Sequence, residues 1–144
     1  MELPPHSKII TNSLRDQDPR GSILSIVEAN IHNVSLINCI SGSIRSNHYH
    51  KKDHHFMYVL SGSIDYFYKP VSNSNVEYLE VSEGQTIFTP NMEWHATFFP
   101  TNTDLIVCSL NPRDQKTYEE DTIRELLITE ENIGEYLERY KSIS

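Results

Sequence analysis

The chain has 144 residues, 38% of them hydrophobic, and a formal net charge of −8. That length is enough for one domain with a real core, and no apolar run approaches the ~20 residues that a membrane span needs. The acidic balance has the wrong sign for gripping phosphates, so neither nucleic acid nor a membrane is expected as a partner.

The N-terminal stretch Met1-Glu2-Leu3-Pro4-Pro5-His6-Ser7 has no basic segment followed by an apolar one. A cytoplasmic location is therefore expected. Residues 1–19 read as an arm, and 16–21 (Asp-Gln-Asp-Pro-Arg-Gly) as a turn. Short strands are predicted over 22–28, 34–40, 47–50, 55–60, 63–68, 76–81, 85–89, 95–99 and 105–110. Turn signals such as Ser61-Gly62 and Ser82-Glu83-Gly84 separate them. Eight or nine such strands predict an all-β, antiparallel sandwich or barrel over 20–111. Cys39 and Cys108 fall in strand-like apolar runs and read as buried thiols.

The tail, 112–144, is predicted to be helical. From Arg113 onward it holds nine acidic and five basic residues, half of the net charge. Segment 118–128 is mixed in pattern. Segment 130–141 places Ile133, Tyr136, Leu137 and Tyr140 at i, i+3, i+4 and i+7, with Thr129 as candidate N-cap. This helix is expected to pack on the outside of the barrel or on a partner subunit.

Four of the seven histidines lie between Gly42 and Gly62: His48, His50, His54 and His55. His48 and His50 are two apart, so on a strand they share a face. His95 lies in a second turn-bounded block that begins at Gly84. The two blocks resemble the two motifs of the cupin family. In the first, Gly42 is followed by five residues, then His48 and His50, then after four intervening residues His55 at the family's glutamate position, then Gly62. In the second, Gly84, Pro90 and His95 match, while Met92 stands for the family's glycine and Phe99 for its asparagine.

The resemblance implies a jelly-roll barrel with a metal held by His48, His50, His55 and His95. It implies one divalent transition metal, with Fe, Zn, Ni, Mn and Cu all open. Imidazole suits these ions, and a site without a carboxylate differs from the two-histidine, one-carboxylate iron centre. His54, next to His55, is expected on the opposite face. His6 and His32 lie in loops and receive no role.

A narrower resemblance connects 18–21 (Asp-Pro-Arg-Gly), 45–52 (Arg-Ser-Asn-His-Tyr-His-Lys-Lys) and 118–124 (Tyr-Glu-Glu-Asp-Thr-Ile-Arg) with the cupins of deoxysugar and surface-polysaccharide synthesis. That group includes epimerases and ketoisomerases of dTDP-4-keto-6-deoxyhexoses. It implies a histidine base at His48 or His50, without metal, and Lys51 and Lys52 on the diphosphate.

The inner face is predicted to carry Met57, Val59, Ile64, Tyr66, Tyr68, Thr97 and Phe99. Core filling accounts for most of these. Tyr66 and Tyr68 are candidate acids or orienting donors, and Met57, Phe99 and Lys51 candidate substrate contacts. Three functions remain open from sequence: a metal-dependent enzyme acting on a small organic molecule, a nucleotide-sugar isomerase or epimerase, and a non-catalytic metabolite- or sugar-binding module. A homodimer is expected, because unpaired sheet edges seek partners.

Overall fold

The computed structural model describes residues 2–141. Its elements in chain order are β1 (Lys8–Ile10), β2 (Ser13–Asp18), β3 (Gly21–Ser25), β4 (Asn33–Cys39), β5 (Ile44–His50), β6 (His55–Ser61), β7 (Ser63–Pro70), β8 (Glu77–Ser82), β9 (Thr86–Thr89), β10 (Glu93–Phe98), β11 (Thr103–Ser109), α1 (Gln115–Asp121), β12 (Thr122–Arg124) and α2 (Ile133–Tyr140). One antiparallel sheet runs β1-β9-β6-β11-β4, a second runs β12-β5-β10-β7-β8, and β2-β3 form a separate hairpin. The two five-stranded sheets are the layers of an all-β jelly roll of the cupin type. No helix among the described residues is long and apolar enough to cross a membrane.

Alternation along the strands builds the core. Met57 and Val59 of β6, Ile64 and Tyr66 of β7, Ile87 of β9, Leu105 and Val107 of β11 and Phe99 form one buried cluster, with Tyr68 packed against it. The outer face of the second sheet is also apolar. Phe67, Trp94 and Ala96 there are covered by Ile128 and by Tyr136, Leu137 and Tyr140 of α2, so α2 packs on the barrel itself. Cys39 and Cys108 are buried free thiols.

Among the described residues twelve strands form where eight or nine are predicted. The extra ones lie in the segments read as arm and tail: β1 pairs with β9, and β12 with β5. Segment 118–128 is not one helix. Its helical part ends at Asp121, and Thr122–Arg124 continues as a strand on the open edge of β5. A sheet edge offering backbone partners outweighs the weak helical preference of Thr and Ile. The strand predicted over 22–28 stops at Ser25. Asn132, not Thr129, takes the N-cap position of α2, and the two exchange hydrogen bonds.

Gly62 closes the β6–β7 turn at φ +91°, where a Cβ would sit 2.3 Å from Thr103 Oγ1. Only glycine fits so close an approach.

Candidate active site

β5 and β10 bring the histidines together. In their antiparallel register His48 stands opposite His95. The ladder slips beyond that pair, where Ser46 and Asn47 adopt positive φ (74° and 55°). This is a bulge, a device that re-aims neighbouring side chains. Asparagine tolerates the left-handed region. Asn47 also docks the tail: its amide oxygen accepts from the Leu127 and Ile128 N–H groups, and its Nδ2 donates to Ile128 O.

The ring centroids of His48 and His50 are 4.7 Å apart, and those of His48 and His95 are 4.8 Å apart. One ring nitrogen from each of His48, His50 and His95 lies within 4.8 Å of the others. His55 of β6 stands beside this trio, its ring 5.1 Å from His95 and 5.9 Å from His50. All four side chains are buried. Burial is the main force that holds them neutral. It takes His48 down to about 2, helped by His95 and His50, and His50 down to about 3, helped by His95 and Arg113. It takes His95 down to about 4 against a backbone contact to Glu93 that opposes the shift, and it takes His55 well below the ordinary range.

His50 is the most completely oriented of the four. Its Nδ1 lies 3.3 Å from Thr122 Oγ1 and 3.6 Å from the Asp121 carboxylate. Its Nε2 is buried without a hydrogen-bond partner. The Asp121 carboxylate is itself fixed, accepting from the Lys52 and Asp53 N–H groups. Tyr118 of α1 places its ring 5.7 Å from that of His50 and 6.3 Å from that of His48. Arg113, just before α1, lies over the Tyr118 ring. Asp121, Tyr118 and Arg113 are not among the residues singled out from sequence as site residues. Tyr118 and Asp121 reach the histidines because β12 pairs with β5, which residue spacing does not reveal, and Arg113 is held beside them by Ser109 and Asp53.

The other candidates fall in several places. Tyr66 is fully buried and stacks on His95 at 6.2 Å, but its hydroxyl is engaged by Ser7 and Thr89. Burial pushes that phenol well above its ordinary value, so it forms a wall of the site and is a poor proton donor. Tyr68 is half-buried beside it, with its phenol likewise raised by burial. Met57 and Phe99 lie in the core cluster. Lys51 is exposed and lines, with Lys52, Asn111, Thr117, Glu120 and Asp121, a surface cavity of about 280 Å³. His54 points away from the trio, toward the rings of Phe56 and Phe88.

The family model described as FdtA: WxcM-like, C-terminal, matches residues 8–127. No curated protein matches the sequence. Among solved structures, the sugar 3,4-ketoisomerase QdtA of Thermoanaerobacterium thermosaccharolyticum in complex with TDP is 21% identical, covering 97% of this chain and 98% of its own at a TM-score of 0.68. The TDP-quinovose 3,4-ketoisomerase WlaRB of Campylobacter jejuni is 20% identical over 85% of this chain and 95% of its own, with a TM-score of 0.69. The rmlC epimerase of Mycobacterium tuberculosis is 13% identical over 85% of this chain and 70% of its own, with a TM-score of 0.67. At these identities the likeness is one of fold.

Proposed function

We propose, on the premise that the chain belongs to the FdtA family (WxcM-like, C-terminal), that it is a nucleotide-sugar ketoisomerase. In this reading it moves a carbonyl from C4 to C3 of a dTDP-linked 6-deoxyhexose. The observation that carries it is the state of His50: Nδ1 faces Asp121 and Thr122, and Nε2 is buried, neutral and unpartnered.

A base that starts neutral and desolvated is suited to taking a weakly acidic proton beside a carbonyl. His50 Nε2 takes the C3 proton. The C3–H electron pair becomes the C3=C4 bond, and the carbonyl pair moves onto O4. Returning the proton to C4, while O3 gives up its hydrogen and O4 gains one, leaves the carbonyl at C3. Atoms and electrons balance without a co-reactant. His48 and His95, within reach of the same space, are available to carry the proton between the oxygens.

The test is incubation with TDP-4-keto-6-deoxyglucose followed by NMR of the sugar ring. A 3-keto isomer is expected. Inversion at a carbon next to the carbonyl without migration would make it an epimerase, and binding of TDP without turnover a binding module.

A second reading rests on a separate observation, the three ring nitrogens within 4.8 Å of one another. An all-imidazole donor set of this compactness fits a divalent transition metal such as Fe, Zn, Ni, Mn or Cu. His48, His50 and His95 would hold it, with His55 beside them. Such an ion supplies Lewis-acid polarisation of a carbonyl. His50 would then not be free as the base. Metal content of the untagged protein decides between the readings: about one ion per chain, lost in His95→Ala, supports the metal centre, and less than a tenth of an ion supports the base.

We also propose a homodimer. β4 is a sheet edge whose Val34 and Leu36 are exposed, and the β2–β3 hairpin exposes Leu14, Ile23 and Leu24 without joining either large sheet. A lone two-stranded hairpin is marginal in water, and an exposed edge pairs readily. Sedimentation at micromolar concentration should give twice the chain mass, and a monomer alone would contradict it.

A further inference from the structure

Arg113 lies outside both histidine motifs, in the loop between β11 and α1. Its Nε donates to Ser109 Oγ at 3.1 Å, and its Nη2 lies 3.2 Å from Asp53 Oδ2. The other Asp53 oxygen is taken by the Asn111 N–H, so this carboxylate is pinned. The guanidinium sits 5.1 Å from the centre of the Tyr118 ring, which itself lies against His48 and His50. Nη2 is buried and makes no hydrogen bond of good geometry.

Ser109, which holds the guanidinium, stands opposite His55 in the β6–β11 ladder, so Arg113 is anchored beside the histidine cluster. Arg124 of β12 stands opposite His48 in the ladder, but it is exposed and forked onto Glu119. Lys51 and Lys52 are exposed beside the surface cavity.

We propose that Arg113 is a catalytic residue that stabilises the negative charge developing on the sugar oxygen as the C3 proton leaves. The inference rests on the ketoisomerase reading and deepens it. Enolisation places a full charge on O4 in a buried site. His50 becomes cationic in the step, but its proton is the one that must return to carbon. A separate permanent cation, held in place before the reaction, is what the transition state requires. A guanidinium never deprotonates and offers five N–H donors, of which Ser109 and Asp53 engage only two atoms. Tyr118 supports its face through a cation–π contact.

The plainer role for Arg113 is a tie between the 109–113 loop and Asp53, and the test separates the two. Turnover of TDP-4-keto-6-deoxyglucose and the affinity for TDP are measured for the wild type, Arg113→Gln and Arg113→Lys. Removing one preorganised oxyanion donor is expected to lower kcat about 10²-fold. KM and TDP affinity should stay within about threefold in Arg113→Gln, and Arg113→Lys should recover part of kcat. If Arg113→Gln does not fold, the pair Asp53→Asn/Arg113→Gln, which leaves no buried charge behind, is read in its place with the same expectation. A kcat within threefold of wild type would overturn the role. So would a loss confined to KM and TDP affinity, which would make Arg113 an anchor for the diphosphate. A wild type that isomerises while the variants are indifferent removes this inference alone. A wild type that leaves the sugar unchanged removes the ketoisomerase reading and this role with it.

Discussion

Asp121 brings its carboxylate to 3.6 Å from Nδ1 of His50, from the last residue of α1 to the last residue of β5. A carboxylate at that nitrogen favours the tautomer with the proton on Nδ1 and leaves Nε2 as the base. Asp121→Asn keeps the shape and removes this bias, but its single amide oxygen can accept from only one of the Lys52 and Asp53 N–H groups, which the carboxylate takes on separate oxygens. Turnover should fall about 10²-fold with TDP affinity little changed, and the unpaired N–H should cost about 1–2 kcal/mol of stability. Unaltered turnover would mean that Thr122 alone sets the tautomer.

Asn47 holds the tail on the barrel through three hydrogen bonds to Leu127 and Ile128, two of them buried. At about 1 kcal/mol each, and more where a buried partner is left unpaired, Asn47→Ala should cost about 3 kcal/mol. Urea unfolding measures this. A loss below about 1 kcal/mol would show that β12 and α2 dock without that clamp.

Two turns with positive φ should respond in opposite ways. At Gly62 a Cβ would fall 2.3 Å from Thr103 Oγ1 and 2.7 Å from the Asn102 carbonyl oxygen. Gly62→Ala should destabilise by about 2 kcal/mol or more. Met92 is a half-exposed residue at φ 56°, in a position where the related motif has glycine. Met92→Gly should relieve about 1 kcal/mol of left-handed strain, partly offset by glycine's greater freedom in the unfolded chain. The two melting temperatures should therefore move apart; a parallel shift would contradict this reading of the backbone.

Acid should weaken the fold before it protonates most carboxylates. His48, His50 and His95 fall to about 2, 3 and 4 in the folded state, chiefly through burial, against about 6.5 unfolded. The unfolded chain therefore binds more protons below pH ~6.5. Stability is complete above that pH and is lost as pH falls toward the folded values, by up to about 1.4 kcal/mol per histidine per pH unit. Burial raises Asp53, which has the opposite sign but acts nearer the usual carboxylate range. The urea midpoint should be flat from pH 8 to 7 and fall steeply between 6.5 and 5. A midpoint constant down to pH 5 would mean that the histidines are not buried as neutral rings.

Much of the barrel was legible because its strands carry period-two patterns between turns, and because His48, His50, His55 and His95 sit at motif spacing. Ile64 and Tyr66 of β7 enter the core as their alternation implies, and His54 faces away from His55's side. The tail was less legible. Thr122–Arg124 is three residues long, and its state is decided by the open edge of β5. Without that pairing, nothing in the spacing of Tyr118 and Asp121 connects them to His50, about 70 residues earlier. Lys51 lies at the rim of the site rather than among the histidines. It follows the histidine strand in sequence as a candidate contact for a substrate phosphate, and the chain turns outward after β5, leaving it exposed on the surface cavity that Asp121 also lines.

The account depends most directly on His50 as the group that moves the carbon-bound proton. Wild type and His50→Gln are incubated in D₂O with TDP-4-keto-6-deoxyglucose, and deuterium at the ring carbons is followed by NMR, with TDP affinity measured alongside. The wild type should place deuterium beside the carbonyl as the sugar isomerises. His50→Gln should bind TDP with similar affinity and incorporate label at least about 10³-fold more slowly. A His50→Gln variant that exchanges and isomerises at the wild-type rate would contradict the account.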